Sequence, residues 1–350
     1  MKKIIYIAAG GTGGHINAAL SLGEVFSSDY DVRYLSGTRY LDYQLFNNKQ
    51  CTHLVSKPLR TRNPITLFLN ISYNLIVFIK IMLSYVNVRP AFLLGAGGYI
   101  CGPTLLAGKL LGIPIFIVEQ NAVMGMTNKI LSKFADKIFT NFEKTKGIAN
   151  LKNVIVSGNP IRSTIKSSIN TLIENDGVNI LIFGGSLGAS QLNEAIEGLV
   201  QIWDGSQLNI LHQVGRNNIN NFEVTNKKIN YKQLEYIDDM NEKYNWCNVI
   251  ISRAGASTVS ELRVVKRPTI IVPFPQATDN HQYFNAMELK KEDGFLVEIL
   301  DQSKKGKDLT MDIKNSLLNI IKNNLVYQNE NKAENASEMI KKEIEIYVRN

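Results

Sequence analysis

Short, almost continuous runs of isoleucine, valine and leucine recur along the chain, and helix-length segments separate them. Such runs are typical of parallel β-strands buried on both faces, because the connecting helices cover both sides of the sheet. The pattern therefore predicts two doubly wound α/β units. The predicted strands are KIIYIAA, DVRYLS, AFLLGAG, PIFIVEQ, KIFTNF and NVIVSGN in the first half, and NILIFGG, LNILHQVG, NVIISRAG and PTIIVPF in the second.

Length and composition agree with two domains. The chain has 350 residues, 45% of them hydrophobic, which is enough for two buried cores. Its three cysteines (Cys51, Cys101 and Cys247) are scattered and form no CxxC pair, so neither a disulfide framework nor a zinc site is indicated, and a reducing compartment is favoured. The opening MKKIIYIAAGG has an apolar run of about six residues, shorter than a signal-peptide core, and predicts the first strand.

The boundary between the domains is expected near SGNPIR at 157–162, where Gly158 and Pro160 interrupt the pattern. This gives an N-terminal domain at 1–158 and a C-terminal domain at 159–330. The remaining 331–350 contain the amphipathic SEMIKKEIEIYV, for which we expect a helix that returns to the N-terminal domain.

The stretch GGTGGH at 10–15 places four glycines where the first strand should turn into a helix that begins near His15. Backbone N–H groups and a helix N-terminus at such a turn favour an anion. The stretch has neither the GxGxxG spacing of a dinucleotide oxidoreductase nor the lysine of a P-loop. Tight packing of strand on helix, with a structural histidine, is the alternative interpretation.

Further polar loops follow other predicted strands and would open onto the same sheet edges. In the first half these are GAGGYICGP at 95–103 and EQNAVMGMTN at 119–128. Glu119 ends a very apolar run, where a carboxylate needs either hydrogen-bonding partners or a function. The loops SGNPIR, GGSLGAS, SRAGASTVSE and PQATDNHQ occupy equivalent places in the second half, so both sets of loops are expected to line one cleft.

Seven motifs, taken together in this order and spacing, resemble the MurG family of glycosyltransferase family 28. The resemblance implies a GT-B fold, with two Rossmann-like doubly wound parallel-sheet domains facing a central cleft. It also implies an inverting transfer of N-acetylglucosamine (GlcNAc) from UDP-GlcNAc to lipid I, the undecaprenyl-diphosphate-linked muramyl-pentapeptide, which forms lipid II for peptidoglycan, cell shape and cell division. The motifs are GGTGGH at 10–15, GGYICGP at 97–103, EQN at 119–121, SGNPIR at 157–162, GGSLGA at 184–189, SRAGASTVSE at 252–261 and DNHQ at 279–282.

The resemblance also implies site residues. On the donor side, Arg162 and Ser186 would hold the diphosphate, the backbone of Ile237 would read uracil, and Glu261 would bind the ribose hydroxyls. His281 and Gln282 would bind the GlcNAc hydroxyls. The residues implied around the acceptor and its diphosphate are Thr12, Gly13, Gly14, Tyr99, Asn121 and Asn128.

An inverting displacement needs one general base. His15 is favoured because an imidazole titrates near neutral pH, and Glu119 is the competitor. No metal ion or other cofactor is expected, since UDP-GlcNAc is a substrate. The DYD at 29–31 resembles a DxD metal motif, but it precedes a predicted strand and is interpreted as a solvated turn.

Residues 57–86 combine basic residues with a long apolar segment whose polar positions recur at helical spacing. That spacing favours an amphipathic or core helix over a membrane span. Residues 1–160 carry 17 Lys and Arg against 7 Asp and Glu, whereas the remainder carries 22 against 24. We therefore expect peripheral docking on anionic lipid at the cytoplasmic face of the membrane, through Lys57, Arg60, Arg62, Phe68 and Lys80.

A helix that merely covers the sheet, with a solvated basic rim, is the alternative for this segment. No nucleic-acid partner is expected, because no RNA- or DNA-binding pattern is present. Other cell-wall synthesis proteins are further candidate partners. The chain departs from the family pattern at Asn17–Ala18 and at Met124, both in acceptor-side loops. Three functional alternatives stay open: a related GT-B transferase with another lipid or glycan acceptor, a nucleotide-sugar-binding protein without turnover, and a UDP-GlcNAc 2-epimerase.

Overall fold

The computed structural model forms two compact units, Met1–Arg162 with Glu334–Asn350 and Ser163–Ala333. The residues that it describes are 2–149, 151–165, 177–185, 188–220, 222–294, 296–301, 303–323 and 335–349.

The first unit is a seven-stranded parallel sheet with helices on both faces. Its strand order is β3-β2-β1-β4-β5-β6-β7. The elements are β1 (Lys3–Ala8), α1 (Gly13–Phe26), β2 (Tyr30–Ser36), α2 (Tyr40–Leu45), β3 (Cys51–His53), α3 (Pro64–Asn87), β4 (Leu93–Gly95), α4 (Cys101–Leu110), β5 (Ile115–Glu119), α5 (Met126–Leu131), β6 (Lys137–Thr140) and β7 (Val154–Val156).

The second unit is a six-stranded parallel sheet in the order β10-β9-β8-β11-β12-β13. A short 3₁₀ turn, Thr278–Asn280, precedes its helix α9, and the final helix α11 belongs to the first unit. The elements are β8 (Val178–Phe183), α6 (Ser190–Ile202), β9 (Leu208–Gln213), β10 (Ile229–Leu234), α7 (Met240–Trp246), β11 (Val249–Ser252), α8 (Ala256–Val265), β12 (Thr269–Ile271), α9 (His281–Leu289), β13 (Val297–Ile299), α10 (Gly306–Asn323) and α11 (Ala336–Arg349).

Both sheets have the doubly wound topology, so the prediction of two doubly wound α/β units is confirmed. In each sheet the winding direction reverses once, between β1 and β4 in the first and between β8 and β11 in the second. In open α/β sheets, ligands bind beside such a switch point, at the carboxyl ends of the strands. The glycines at 10–14 follow β1, and Gly184 and Gly185 follow β8, so each set lies at a switch point.

Three edge strands have no counterpart among the predicted strands. They are β3, β10 and β13, which lie at the ends of their sheets. In β10 only Ile229 is buried, because an edge strand is covered less completely than a central one. The long apolar runs that reveal central strands are therefore absent from these edges.

Helix α11 completes the first unit by covering one face of its sheet. Ile340 and Ile344 are fully buried in a cluster with Ile5, Ile7 and Phe92. The amphipathic pattern follows from this position, since one face of α11 contacts the sheet and the other is solvated.

Helix α3 covers the opposite face only in part. Val77, Ile81 and Tyr85 are buried against the core of the first unit. Most of its other apolar side chains are exposed, among them Ile65 and Phe68, each at 71%. Within the part of the chain that the structure describes, α3 is the one helix long and apolar enough to cross a membrane by length and composition alone.

Candidate functional site

The glycine-rich loop after β1 contacts the loop after β4 directly. The Gly10 N–H donates to the Gly97 carbonyl oxygen at 3.1 Å. A Cβ added at Gly98 would lie 2.4 Å from the Gly10 carbonyl oxygen, so this approach requires glycine. The two switch-point loops of the first unit therefore form one surface next to the N-terminus of α1.

His15 is the third residue of α1, and its ring rests on that surface. Its Nδ1 lies 3.1 Å from the Gly10 carbonyl oxygen. A carbonyl oxygen only accepts, so Nδ1 carries the proton and Nε2 carries the lone pair of the neutral ring. A Cβ added at Gly97 would lie 2.5 Å from the ring's Cδ2, so the ring can occupy this position only because residue 97 is glycine.

The remaining glycine-loop residues form the start of the helix. The Thr12 side chain caps α1 by accepting from the His15 N–H at 3.4 Å, and Gly13 and Gly14 form its first turn. An N-terminal turn without side chains leaves its N–H groups accessible to an anion. Tyr99 lies in the loop after β4 and is 43% exposed.

Glu119 ends β5 with its carboxylate buried at 2% exposure. One oxygen accepts from the Asn121 N–H at 3.0 Å and from the Asn121 side-chain amide at 3.4 Å. The other accepts from the Gly125 N–H and from Asn128 Nδ2, both at 2.9 Å. Glu119 thus brings together three residues of its own loop, which agrees with the structural alternative that its sequence context left open.

Asn128 lies on α5 with 6% exposure. Its Nδ2 donates to Glu119 and to the Val118 carbonyl oxygen at 3.1 Å. Its Oδ1 is buried and accepts no hydrogen bond within the described structure. Buried amide oxygens without a hydrogen-bond partner are uncommon in folded proteins, so this atom is an unusual feature of the loop.

Asp42 is a buried residue of this site that the sequence did not reveal. It is the third residue of α2, is 0% exposed, and accepts from the Gly11 N–H at 2.9 Å. Arg39 donates from Nη1 to the Gly11 carbonyl oxygen at 3.0 Å. The sequence offered only one signal for Asp42, its place as an acidic residue in the first turn of the helix after the second strand. Its partner Gly11 lies 31 residues away, so no local pattern links the two.

The second unit repeats the contact between glycine-rich and neighbouring loops. A Cβ added at Gly188 would lie 2.1 Å from the Val214 carbonyl oxygen. Ser186, expected to hold the diphosphate, lies outside the described residues.

Gln213, also missed from the sequence, joins two loops of this unit. Its Nε2 donates to the Gly185 carbonyl oxygen at 3.0 Å, and its Oε1 accepts from the Ile237 N–H at 2.9 Å. The Ile237 N–H is therefore occupied by Gln213 in this structure. One 4%-exposed amide thus sets the spacing between the glycine-rich loop and the segment expected to read the base.

Glu261 lies on α8 with 6% exposure and accepts from the Tyr244 hydroxyl at 2.7 Å. The buried Tyr244 therefore holds one carboxylate oxygen of Glu261 in a defined direction.

His281 and Gln282 begin α9 after an unusual backbone. Asp279 and Asn280 both have positive φ, at 52° and 56°, a conformation that costs non-glycine residues energy and often marks a functional site. His281 donates from Nδ1 to the Thr278 carbonyl oxygen at 2.7 Å. Gln282 Oε1 accepts from the Phe274 N–H at 2.9 Å and the Ala254 N–H at 3.3 Å.

Arg253 lies among the same loops and is 6% exposed. Its Nη1 donates to the carbonyl oxygens of Val272 and Pro273, at 3.0 and 2.8 Å. Burial lowers the pKa of its guanidinium to about 10, which leaves it charged at neutral pH.

Arg162 is the last residue of the first unit and is partly buried. The DYD stretch has an ordinary structural explanation, since Asp29 pairs with Lys341 of α11 and Asp31 pairs with Arg33 at 2.9 Å. In the described residues, no three His, Cys, Asp or Glu side chains are arranged to hold a metal ion.

Two family models match the chain. The glycosyltransferase family 28 N-terminal domain matches residues 5–140, and the family 28 C-terminal domain matches residues 179–345. A protein of Shewanella denitrificans named UDP-N-acetylglucosamine–N-acetylmuramyl-(pentapeptide) pyrophosphoryl-undecaprenol N-acetylglucosamine transferase is 35% identical over 303 residues, which is 82% of this chain and 81% of that protein.

Solved structures agree with this assignment. The crystal structure of Acinetobacter baumannii MurG is 27% identical, with a TM-score of 0.70 over 99% of this chain and 100% of that one. A putative UDP-N-acetylglucosamine 2-epimerase from Listeria monocytogenes, 14% identical with a TM-score of 0.66 over 99% of this chain and 97% of that one, shares the fold alone. The two doubly wound units and their paired loops define a GT-B glycosyltransferase of family 28. Within that class, the chain belongs to the MurG family.

Proposed function

We propose that this protein transfers GlcNAc from UDP-GlcNAc to the diphospholipid-linked muramyl-pentapeptide, lipid I, and so forms lipid II. The observation that carries the proposal is His15, whose Nδ1 lies 3.1 Å from the Gly10 carbonyl oxygen beside the glycine-rich loop of a chain that belongs to the MurG family. The first unit is assigned the acceptor and the general base, and the second unit is assigned most of the contacts to the nucleotide sugar.

His15 is the proposed general base. With Nδ1–H donated to Gly10, the Nε2 lone pair can take the proton of the acceptor hydroxyl while that oxygen attacks the anomeric carbon and UDP departs. The first turn of α1, with Thr12, Gly13 and Gly14, is assigned to the acceptor diphosphate.

Glu119 is proposed to position the acceptor loop instead of moving a proton. Its four hydrogen bonds hold Asn121, Gly125 and Asn128. Through them it orders the loop that carries Asn121 and the start of α5 that carries Asn128, which are proposed to lie beside the muramyl sugar. Tyr99, 43% exposed in the loop after β4, is proposed for the same acceptor.

Most donor assignments fall in the second unit. Glu261 is proposed for the ribose hydroxyls, the Ile237 backbone for uracil, His281 and Gln282 for the sugar, and Ser186 for the diphosphate. Arg162, the last residue of the first unit, is also proposed for the diphosphate. The charge that develops on the departing UDP would be stabilised by Arg162 and by backbone N–H groups at helix N-termini.

We also propose that α3 lies on the membrane surface and does not cross it. Val77, Ile81 and Tyr85 are part of the domain core, so a spanning helix would have to remove them from it. Asn70 and Asn74 hydrogen-bond the segment at 56–58 and hold Lys57 along the helix.

Charge supports the same orientation. The sequence has no Asp or Glu between Asp42 and Glu119, whereas it has Lys57, Arg60, Arg62 and Lys80 there. Each basic side chain near an anionic surface contributes about 1 kcal/mol, and exposed Phe68 adds apolar contact.

The test is transfer of labelled GlcNAc from UDP-GlcNAc to lipid I in detergent or vesicles, with and without EDTA. The expected result is lipid II with release of UDP, at rates that EDTA does not change. Omission of lipid I should leave UDP-GlcNAc intact.

Three results would contradict the proposal. Product on another lipid or glycan but not on lipid I would indicate a related transferase. Conversion of UDP-GlcNAc without an acceptor would indicate an epimerase, and binding of UDP-GlcNAc without UDP release would indicate a binding protein.

A further inference from the structure

One peptide group connects the buried carboxylate of Asp42 to the ring of His15. Its N–H, on Gly11, donates to Asp42 Oδ1 at 2.9 Å. Its carbonyl, on Gly10, accepts from His15 Nδ1 at 3.1 Å. Because a peptide group is planar with its N–H and C=O on opposite sides, the direction of one fixes the direction of the other.

We propose that Asp42 is a positioning residue that selects the Nδ1–H tautomer of His15 by holding this peptide group in one orientation. The inference rests on the proposed role of His15 as general base, because the tautomer decides whether Nε2 can accept a proton.

The peptide group has glycine on both sides, so side chains do little to set its orientation. Gly11 has φ of +85°, in the region that glycine enters readily. A flip of this peptide would turn the Gly11 N–H toward His15. Since an N–H only donates, Nδ1 would then have to accept, the proton would move to Nε2, and Nε2 could no longer act as a base.

Asp42 is itself held tightly. Its Oδ1 also accepts from the Ser36 hydroxyl at 3.2 Å, and its Oδ2 accepts from the Arg39 N–H at 2.9 Å. All three partners donate, which suits a carboxylate because it only accepts. A Cβ added at Gly10 would lie 3.0 Å from Asp42 Oδ1, so the loop passes close over the carboxylate.

The other contacts of the loop hold neighbouring peptide groups. The Gly10 N–H donates to Gly97, and the Gly11 carbonyl accepts from Arg39. Asp42 is the partner of the Gly11 N–H, so the orientation of the peptide between Gly10 and Gly11 depends on it.

The experiment is ¹⁵N NMR of histidine-labelled full-length protein at a pH of about 8.5, where an ordinary imidazole is neutral. The chain has four histidines, so each signal can be assigned by replacing one at a time. The wild type should show a protonated Nδ1 and an unprotonated Nε2 for His15. His281, with its own Nδ1 bond to Thr278, is the internal reference.

Asp42→Ala is the main variant, because it removes the acceptor of the Gly11 N–H altogether, whereas an asparagine could keep its amide oxygen on Gly11 and turn its NH₂ toward Arg39. His15 should then shift toward the Nε2–H tautomer, kcat should fall about 10- to 100-fold, and KM for UDP-GlcNAc should change less than about twofold. Ser36→Ala is the matched control, since it removes a partner of the same carboxylate and leaves the Gly11 contact; it should keep the wild-type tautomer.

An Nε2–H tautomer in the wild type would overturn the inference without any variant, so the test does not depend on whether Asp42→Ala folds. An unchanged His15 tautomer in folded Asp42→Ala would also overturn the inference, whatever happens to activity. A changed tautomer with unchanged kcat would support the role of Asp42 and would instead remove His15 from its proposed role as base.

Discussion

The two units share the order of six parallel strands, with a seventh strand at one edge of the first, but they differ in what surrounds their switch points. In the first, the loops after β1 and β4 meet at a histidine, and a long helix exposes apolar side chains. In the second, the loops are linked by polar side chains such as Gln213 and Gln282. The same topology can carry two different sites, because the loops and crossover helices vary while the central sheet does not. We propose a general base and a lipid-facing helix for the first unit and a nucleotide-sugar site for the second.

Two histidines make this comparison direct. His15 and His281 both lie at the start of a helix and both donate Nδ1–H to a backbone carbonyl. The two histidines therefore have similar local geometry. We propose different roles for them because the surrounding loops differ.

His15→Gln should give the largest effect, a loss of about 10³-fold in kcat with unchanged KM for UDP-GlcNAc, because the proton of the acceptor would have no base. His281→Gln should instead raise the KM for UDP-GlcNAc about 10-fold. Steady-state kinetics on lipid I with both variants separates the two roles. Equal effects on kcat would break the comparison, and His53→Gln, with its Nδ1 on Gly37, is the control expected to stay active.

Gln213→Glu tests whether one amide sets the spacing of the donor loops. The glutamate can still accept from the Ile237 N–H, but it cannot donate to the Gly185 carbonyl and adds a negative charge. KM for UDP-GlcNAc should rise about 10- to 30-fold, with a smaller change in kcat. The same substitution at Gln201, on α6, should have little effect. Calorimetric binding of UDP gives an independent readout, and unchanged affinity would exclude the role of Gln213.

Membrane binding should depend on the first unit alone. Phe68→Asp should reduce binding to vesicles that contain anionic lipid about 5- to 10-fold, since it removes an exposed aromatic ring and adds a repelled charge. Ile202→Asp changes an exposed apolar residue of the second unit and should leave binding unchanged. Vesicle sedimentation measures both. Equal losses would place the lipid contact elsewhere.

The second unit should be more acid-sensitive than the first because of His212. Burial lowers the pKa of His212 to about 3, so the folded protein keeps it neutral while the unfolded chain binds a proton below about pH 6.5. The free energy of unfolding should therefore rise with pH between about 3 and 6.5, by up to about 1.4 kcal/mol per unit from this group. Above that range its contribution is constant.

His212→Gln should reduce this slope if the variant retains the fold. The free energy of unfolding is measured by urea denaturation at pH 5 and pH 7, with the transition monitored by probes specific to the second unit. An unchanged slope would mean that another group dominates the acid response.

Much of the fold could be predicted from the sequence because central strands are buried on both faces. Runs such as PIFIVEQ and NVIISRAG appear as strands β5 and β11 for that reason. The edge strand β10 was missed because solvent covers part of it and its sequence, INYKQL, is mostly polar.

The site divides in the same way. Local chemistry, such as glycines after β1 and a histidine at a helix start, was visible in the sequence. The donor and acceptor residues that the family motifs imply stay predictions. Partners distant in sequence were not visible. Asp42 under Gly11 and Gln213 between Gly185 and Ile237 depend on which loops the strand order brings together.

By itself, the sequence determined the doubly wound class, the glycine-rich turns and the basic, apolar character of the segment at 57–86, because each of these follows from residues that are near neighbours in the chain. Only the tertiary structure decided that the Glu119 carboxylate is taken up by its own loop and that α3 keeps one face in the core. It also decided that one peptide group links Asp42 to His15, because hydrogen bonds to a buried carboxylate depend on the folded path of the backbone and leave no local pattern in the sequence.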